Sequence, residues 1–68
     1  MYFLVRVKPH DIDFVNKIIE GYEGLGIVTT VDAALGVVRV YVSPDTKEDV
    51  RIILEDMPVP LQIEEFHS

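Results

Sequence analysis

The chain has 68 residues, no cysteine, no tryptophan, and six basic against twelve acidic side chains, a formal charge of −6. At that length a single domain spanning residues 1–68 is expected, and the absence of cysteine excludes a disulfide framework, a zinc finger, a cysteine-held iron-sulfur cluster and a thiol nucleophile. The acidic balance argues against nucleic acid and membranes as partners, because phosphate backbones and anionic lipids both call for clustered Lys and Arg.

In Tyr2 to Lys8, Phe3, Val5 and Val7 alternate with Tyr2, Leu4, Arg6 and Lys8, which predicts a strand stopped by Pro9. The period then lengthens: Ile12, Val15, Ile18, Ile19 and Tyr22 fall at helical spacing, with Asp11 as N-cap. Gly24 followed by Leu25 predicts a left-handed residue closing that helix near Tyr22 or Glu23. Ile27 to Val31 is β-branched at five consecutive positions and predicts a second strand. Asp32 to Gly36 predicts a turn, and Val37 to Val42 a third strand that forms a hairpin with the second.

A second helix follows, with the stripe Val50, Ile53, Leu54 and Met57. Asp45 with Glu48 fits a capping box, and Ser43 with Pro44 is an equally lawful start. Pro58 stops it. Val59 to Phe66 predicts the last strand, with Val59, Leu61 and Ile63 opposite Pro60, Gln62, Glu64 and Phe66. The order βαββαβ implies an α+β, ferredoxin-like sandwich: a four-stranded antiparallel sheet, strands one and three in the middle, and two helices on one face. Val38, Val40 and Val42 then face the helices with Phe3, Val5, Val7, Leu61 and Ile63. Tyr2, Leu4, Arg6, Val37, Arg39, Tyr41, Gln62 and Glu64 line the other, open face.

This topology places His10 and His67 at opposite ends of the sheet, about 20 Å apart for a strand of about seven residues at ~3.3 Å each. His10 with Asp11, Asp13 and Asp32, and His67 with Glu65 and Asp45, lack a recognisable metal-ligand spacing and read as solvated loop residues. Ser43 and Ser68 have no histidine placed to activate them, and adjacent carboxylates such as Glu64-Glu65 point apart along a strand. No catalytic residue, metal ligand or cofactor is therefore assigned. Of the outward positions on the third strand, Tyr41 alone is aromatic, beside Val37 and Arg39, which is poor for stacking RNA bases. Arg6 and Arg39 are expected to be neighbours on the open face, pairing with Glu64 in preference to clamping an anion.

The stretches Glu20-Gly21-Tyr22-Glu23-Gly24-Leu25, Thr30-Val31-Asp32 and Ser43-Pro44-Asp45 resemble a short bacterial family catalogued as a domain of unknown function. That likeness implies small bacterial proteins and supplies no activity or site residue. At fold level the chain also resembles ACT-like regulatory domains, which bind amino acids or other small effectors and associate through strand edges or sheet faces. The resulting expectation is a cytoplasmic, non-enzymatic homo-oligomer, a dimer, that binds a small effector or a protein partner. Its expected ligand or partner face is Tyr2, Arg6, Arg39 and Tyr41. Its expected oligomer edge is Ile27, Val28, Thr29, Thr30 and Val31, a run without charge or proline. The alternative is a small enzyme or metal-dependent protein whose site forms between subunits, where His10 or His67 meets its symmetry mate.

Overall fold

In a computed structural model, which describes residues 1–67, the elements are β1 (Tyr2–Val7), α1 (Ile12–Glu20), β2 (Ile27–Asp32), β3 (Val37–Tyr41), α2 (Lys47–Glu55) and β4 (Leu61–Phe66). Ser68 lies outside the described residues. The fold is α+β, with four strands in one antiparallel sheet and two helices. The strand order is β2-β3-β1-β4, so β1 and β3 are central. No helix among the described residues is long and apolar enough to cross a membrane.

The core follows from two periods meeting. Alternate residues Phe3, Val5 and Val7 of β1 and Val38 and Val40 of β3 form one buried cluster with Val15 and Ile19 of α1 and Val50 and Leu54 of α2. Val28, Val42, Leu61 and Ile63 are partly buried against it. Each such side chain contributes about 1.5–3 kcal/mol when fully removed from water. Val37 departs from expectation: it belongs to the opposite face yet is only 7% exposed. It is a small side chain on a central strand, with Arg6 and Asp32 as its cross-strand neighbours.

The helix ends also differ from the sequence reading. Pro9–Asp11 forms a 3-10 turn, in which the Asp11 N–H donates to the Lys8 carbonyl at 2.8 Å. Asp11 therefore has a helical backbone at the N-cap of α1 and makes no side-chain cap bond, since a capping side chain folds back only from an extended residue. At the other end the Gly21 N–H donates to the Lys17 carbonyl and the Tyr22 N–H to that of Ile19, so the last turn tightens and α1 stops at Glu20. Gly24 does adopt φ +80, but in the connection beyond the helix, and Tyr22 is 49% exposed.

The N-cap of α2 is Thr46, not Ser43 or Asp45. The Ser43 carbonyl accepts the Thr46 and Lys47 N–H groups at 3.1 and 2.9 Å, and the Ser43 N–H donates to Thr46 Oγ1 at 3.1 Å. Thr46→Val keeps the volume but deletes that acceptor, and is expected to cost about 1 kcal/mol in urea denaturation. Thr46→Ser should recover most of it; equal losses for both would refute the assignment. β4 begins at Leu61, two residues later than the sequence predicts, because Pro60 has no N–H to give to a ladder.

The β2–β3 register shifts between Thr30 and Asp32, leaving Val31 as a bulge. Asp32 Oδ1 then accepts the Leu35 N–H at 3.1 Å, and the Gly36 N–H reaches the Ala33 carbonyl at 3.3 Å. Gly36 has φ +72, a conformation that glycine adopts at little cost and that strains a residue with a side chain. Its carbonyl accepts the Val7 N–H at 2.8 Å, which fastens the hairpin turn to the end of β1.

Candidate functional site

The sheet face opposite the core is organised in rows by its registers. Ile27, Tyr41, Tyr2 and Phe66 form the first row; Thr29, Arg39, Leu4 and Glu64 the second; Asp32, Val37, Arg6 and Gln62 the third. In the first row the Phe66 ring stacks on Tyr2 with centroids 5.1 Å apart and planes 15° from parallel. The Arg39 guanidinium lies 4.6 Å from the centre of the same Tyr2 ring. Phe66 and Arg39 reach the Tyr2 ring from the strands on either side of β1. Tyr41 is tilted by 57° to Tyr2, and its hydroxyl accepts a hydrogen bond from Arg39 Nη1 at 3.0 Å. That bond to the Tyr41 hydroxyl favours the charged guanidinium and holds the Arg39 pKa above its ordinary value. Arg39 Nε is buried without a hydrogen-bond partner among the described residues.

Three of the four expected face residues, Tyr2, Arg39 and Tyr41, are thus brought together. Arg6 stands a row away, opposite Val37 and Gln62. The expected pairing with Glu64 does not form: among the described residues neither Arg6 nor Arg39 makes an ion pair. Leu4 stands between Arg39 and Glu64 in their row, while the two tyrosines lie next to the guanidinium. Phe66, which the sequence sets on the same side of the last strand as Gln62 and Glu64, was not counted among the residues of this face. That parity was the available signal. A notch of about 70 Å³ lined by Leu4, Arg6, Gln62 and Glu64 opens on this face, and a depression of about 400 Å³ adjoins Ile27 and Tyr41 at the other end.

The expected oligomer edge, Ile27–Val31, lies at the border of the sheet. Ile27 is 70% and Val31 49% exposed, Thr29 and Thr30 are exposed, and Val28 turns partly toward the core. Glu65, in contrast, is no free solvated charge. Its register opposite Phe3 turns it to the helix side, where it pairs with Arg51, with Lys47 Nζ at 2.9 Å and with His67 Nε2 at 2.7 Å. Arg51 also lies over the Phe3 ring at 5.2 Å. His10 Nε2 is 3.4 Å from Asp11 Oδ1, and among the described residues no three His, Asp or Glu side chains are placed to hold a metal ion.

A family model described as a domain of unknown function, DUF4911, matches residues 5–60. The chain belongs to the DUF4911 family. The match takes in β2, Arg6, Gly36, Arg39 and Tyr41, while Tyr2, Glu64 and Phe66 fall outside the matched span. Comparison with curated proteins and with solved structures found no match.

Proposed function

We propose that the chain is a non-catalytic, homo-oligomeric module of ACT-like type, a bacterial cytoplasmic protein that binds a small effector or a protein partner. The strand order β2-β3-β1-β4, with both helices contributing to the cluster on one sheet face, supports a ferredoxin-like arrangement. The observation that carries self-association is the β2 edge. Edge strands of soluble proteins are normally guarded by charge, proline or a bulge. Here the bulge is confined to Val31, which leaves Ile27–Thr30 regularly paired with β3 on one side and without charge. A second β2, added antiparallel, extends the sheet across two copies and covers Ile27. The effector class, amino acids or similarly small ligands, rests on the likeness to ACT domains alone.

Proline substitution tests the edge. Thr29 and Thr30 are adjacent, so one of them directs its N–H away from β3, and proline there blocks a new strand without breaking the existing ladder. Of Thr29→Pro and Thr30→Pro, one is expected to keep the far-ultraviolet circular dichroism of the wild type and to halve the mass in light scattering. Two folded variants with wild-type mass would dismiss the edge as the interface.

A further inference from the structure

We infer that the open sheet face is an interface between two copies of this chain, packed sheet to sheet about a twofold axis, with Arg6 of each copy paired with the partner's Glu64. The inference rests on the homo-oligomeric reading but uses a different surface from the β2 edge. Charge is the first argument. The face carries Arg6 and Arg39 against Glu64 and Asp32, and Asp32 is engaged by the Leu35 N–H. The whole net charge of −6 therefore lies on the other surfaces, so two copies meet on this face without net repulsion.

Complementarity is the second argument. Arg6 and Glu64 lie diagonally across β1 and β4, and neither has an ionic partner among the described residues. A twofold axis satisfies both at once, because whatever Arg6 meets in the partner, the partner's Arg6 meets in return. The 70 Å³ notch between these two side chains has room for a single inserted side chain.

Area and order complete the case. Four strands at ~4.8 Å spacing, each of about six residues at ~3.4 Å, make a sheet face of about 400 Å², the scale of a small, concentration-dependent interface. The cluster of Phe66, Tyr2 and Tyr41 with Arg39 from the next row is already interlocked, so little side-chain freedom remains to be lost when the face is covered.

Sedimentation of the full chain with Arg6→Glu, with Glu64→Arg and with the two variants mixed tests the pairing. Each variant alone places like charges across the axis and is expected to weaken face association by about 100-fold or more. An equimolar mixture should restore it, since the variants carry opposite charges at the contact, and this rescue requires both to be folded. Running the same series in the folded β2-edge proline variant separates the two surfaces. Loss of mass on charge reversal there, recovered on mixing, supports the face whether or not the edge assembles. Wild-type mass in either charge variant, failure of the mixture to reassociate, or a wild type that sediments as a monomer at submillimolar concentration would overturn the proposal.

Discussion

Replacing Gly36 by alanine is expected to unfold the chain or to remove most of its stability. Two effects combine. The residue has φ +72, where any side chain is strained, and a Cβ built there would overlap the Val7 carbonyl oxygen and come within 2.9 Å of its carbon. The struck group is backbone, held in place because the Val7 N–H donates to Gly36 itself at 2.8 Å. Relief thus requires parting the hairpin turn from the end of β1. Strain of about 1–3 kcal/mol and overpacking of similar size compare with a total stability of roughly 3–10 kcal/mol for a chain of this length. Gly24→Ala is the control: its φ is +80, but nothing lies within 4 Å of the added carbon, so only the backbone cost of about 1–2 kcal/mol applies. Urea denaturation of the pair measures the contrast, and equal losses would show that contact with Val7 is irrelevant.

The second large effect is expected at Phe3. It is fully buried, opposes Val40 on one side and Glu65 on the other, and carries Arg51 over its ring. Phe3→Ala leaves a cavity between the sheet and α2 and is expected to cost about 3–5 kcal/mol. Phe3→Leu restores most of the volume but not the aromatic surface beneath Arg51. It should fall between alanine and wild type, with a stability less sensitive to Arg51→Met than that of the wild type, because the ring contact is already gone and the ion pair with Glu65 is left to lose. If Arg51→Met destabilises the Phe3→Leu and wild-type backgrounds equally, the arginine acts only through its ion pair with Glu65.

Much of this architecture was legible in the sequence because burial imposes a strict parity. One misplaced residue in β1 or β3 would have turned Phe3 or Val40 to solvent, so alternation alone identified the core face and, with the hairpin, the central strands. Helix ends were less legible. Asp11, Ser43, Asp45 and Thr46 are all competent caps, and the choice among them depends on which N–H groups the preceding turn has already satisfied. Side-chain partnerships on the open face were least legible. Opposite charge favoured Arg39 with Glu64, but the intervening Leu4 and the adjoining Tyr2 and Tyr41 decided the geometry instead. The helix partners of Glu65 were illegible for a related reason: Lys47 and Arg51 come from α2, which no strand pattern positions.

The central place of β1 has a kinetic consequence. Its pairing with β4 joins residues more than fifty positions apart, from Val7 with Leu61 to Tyr2 with Phe66, whereas the β2–β3 hairpin closes over the short turn at Asp32 and Val37. Closing the longer loop costs more chain entropy before any contact repays it. The hairpin should therefore be present in the folding transition state, and β4 should dock late. Mutations at Val38 or Val40 are then expected to slow folding, while mutations at Ile63, or at Glu65 where α2 grips the last strand, mainly hasten unfolding.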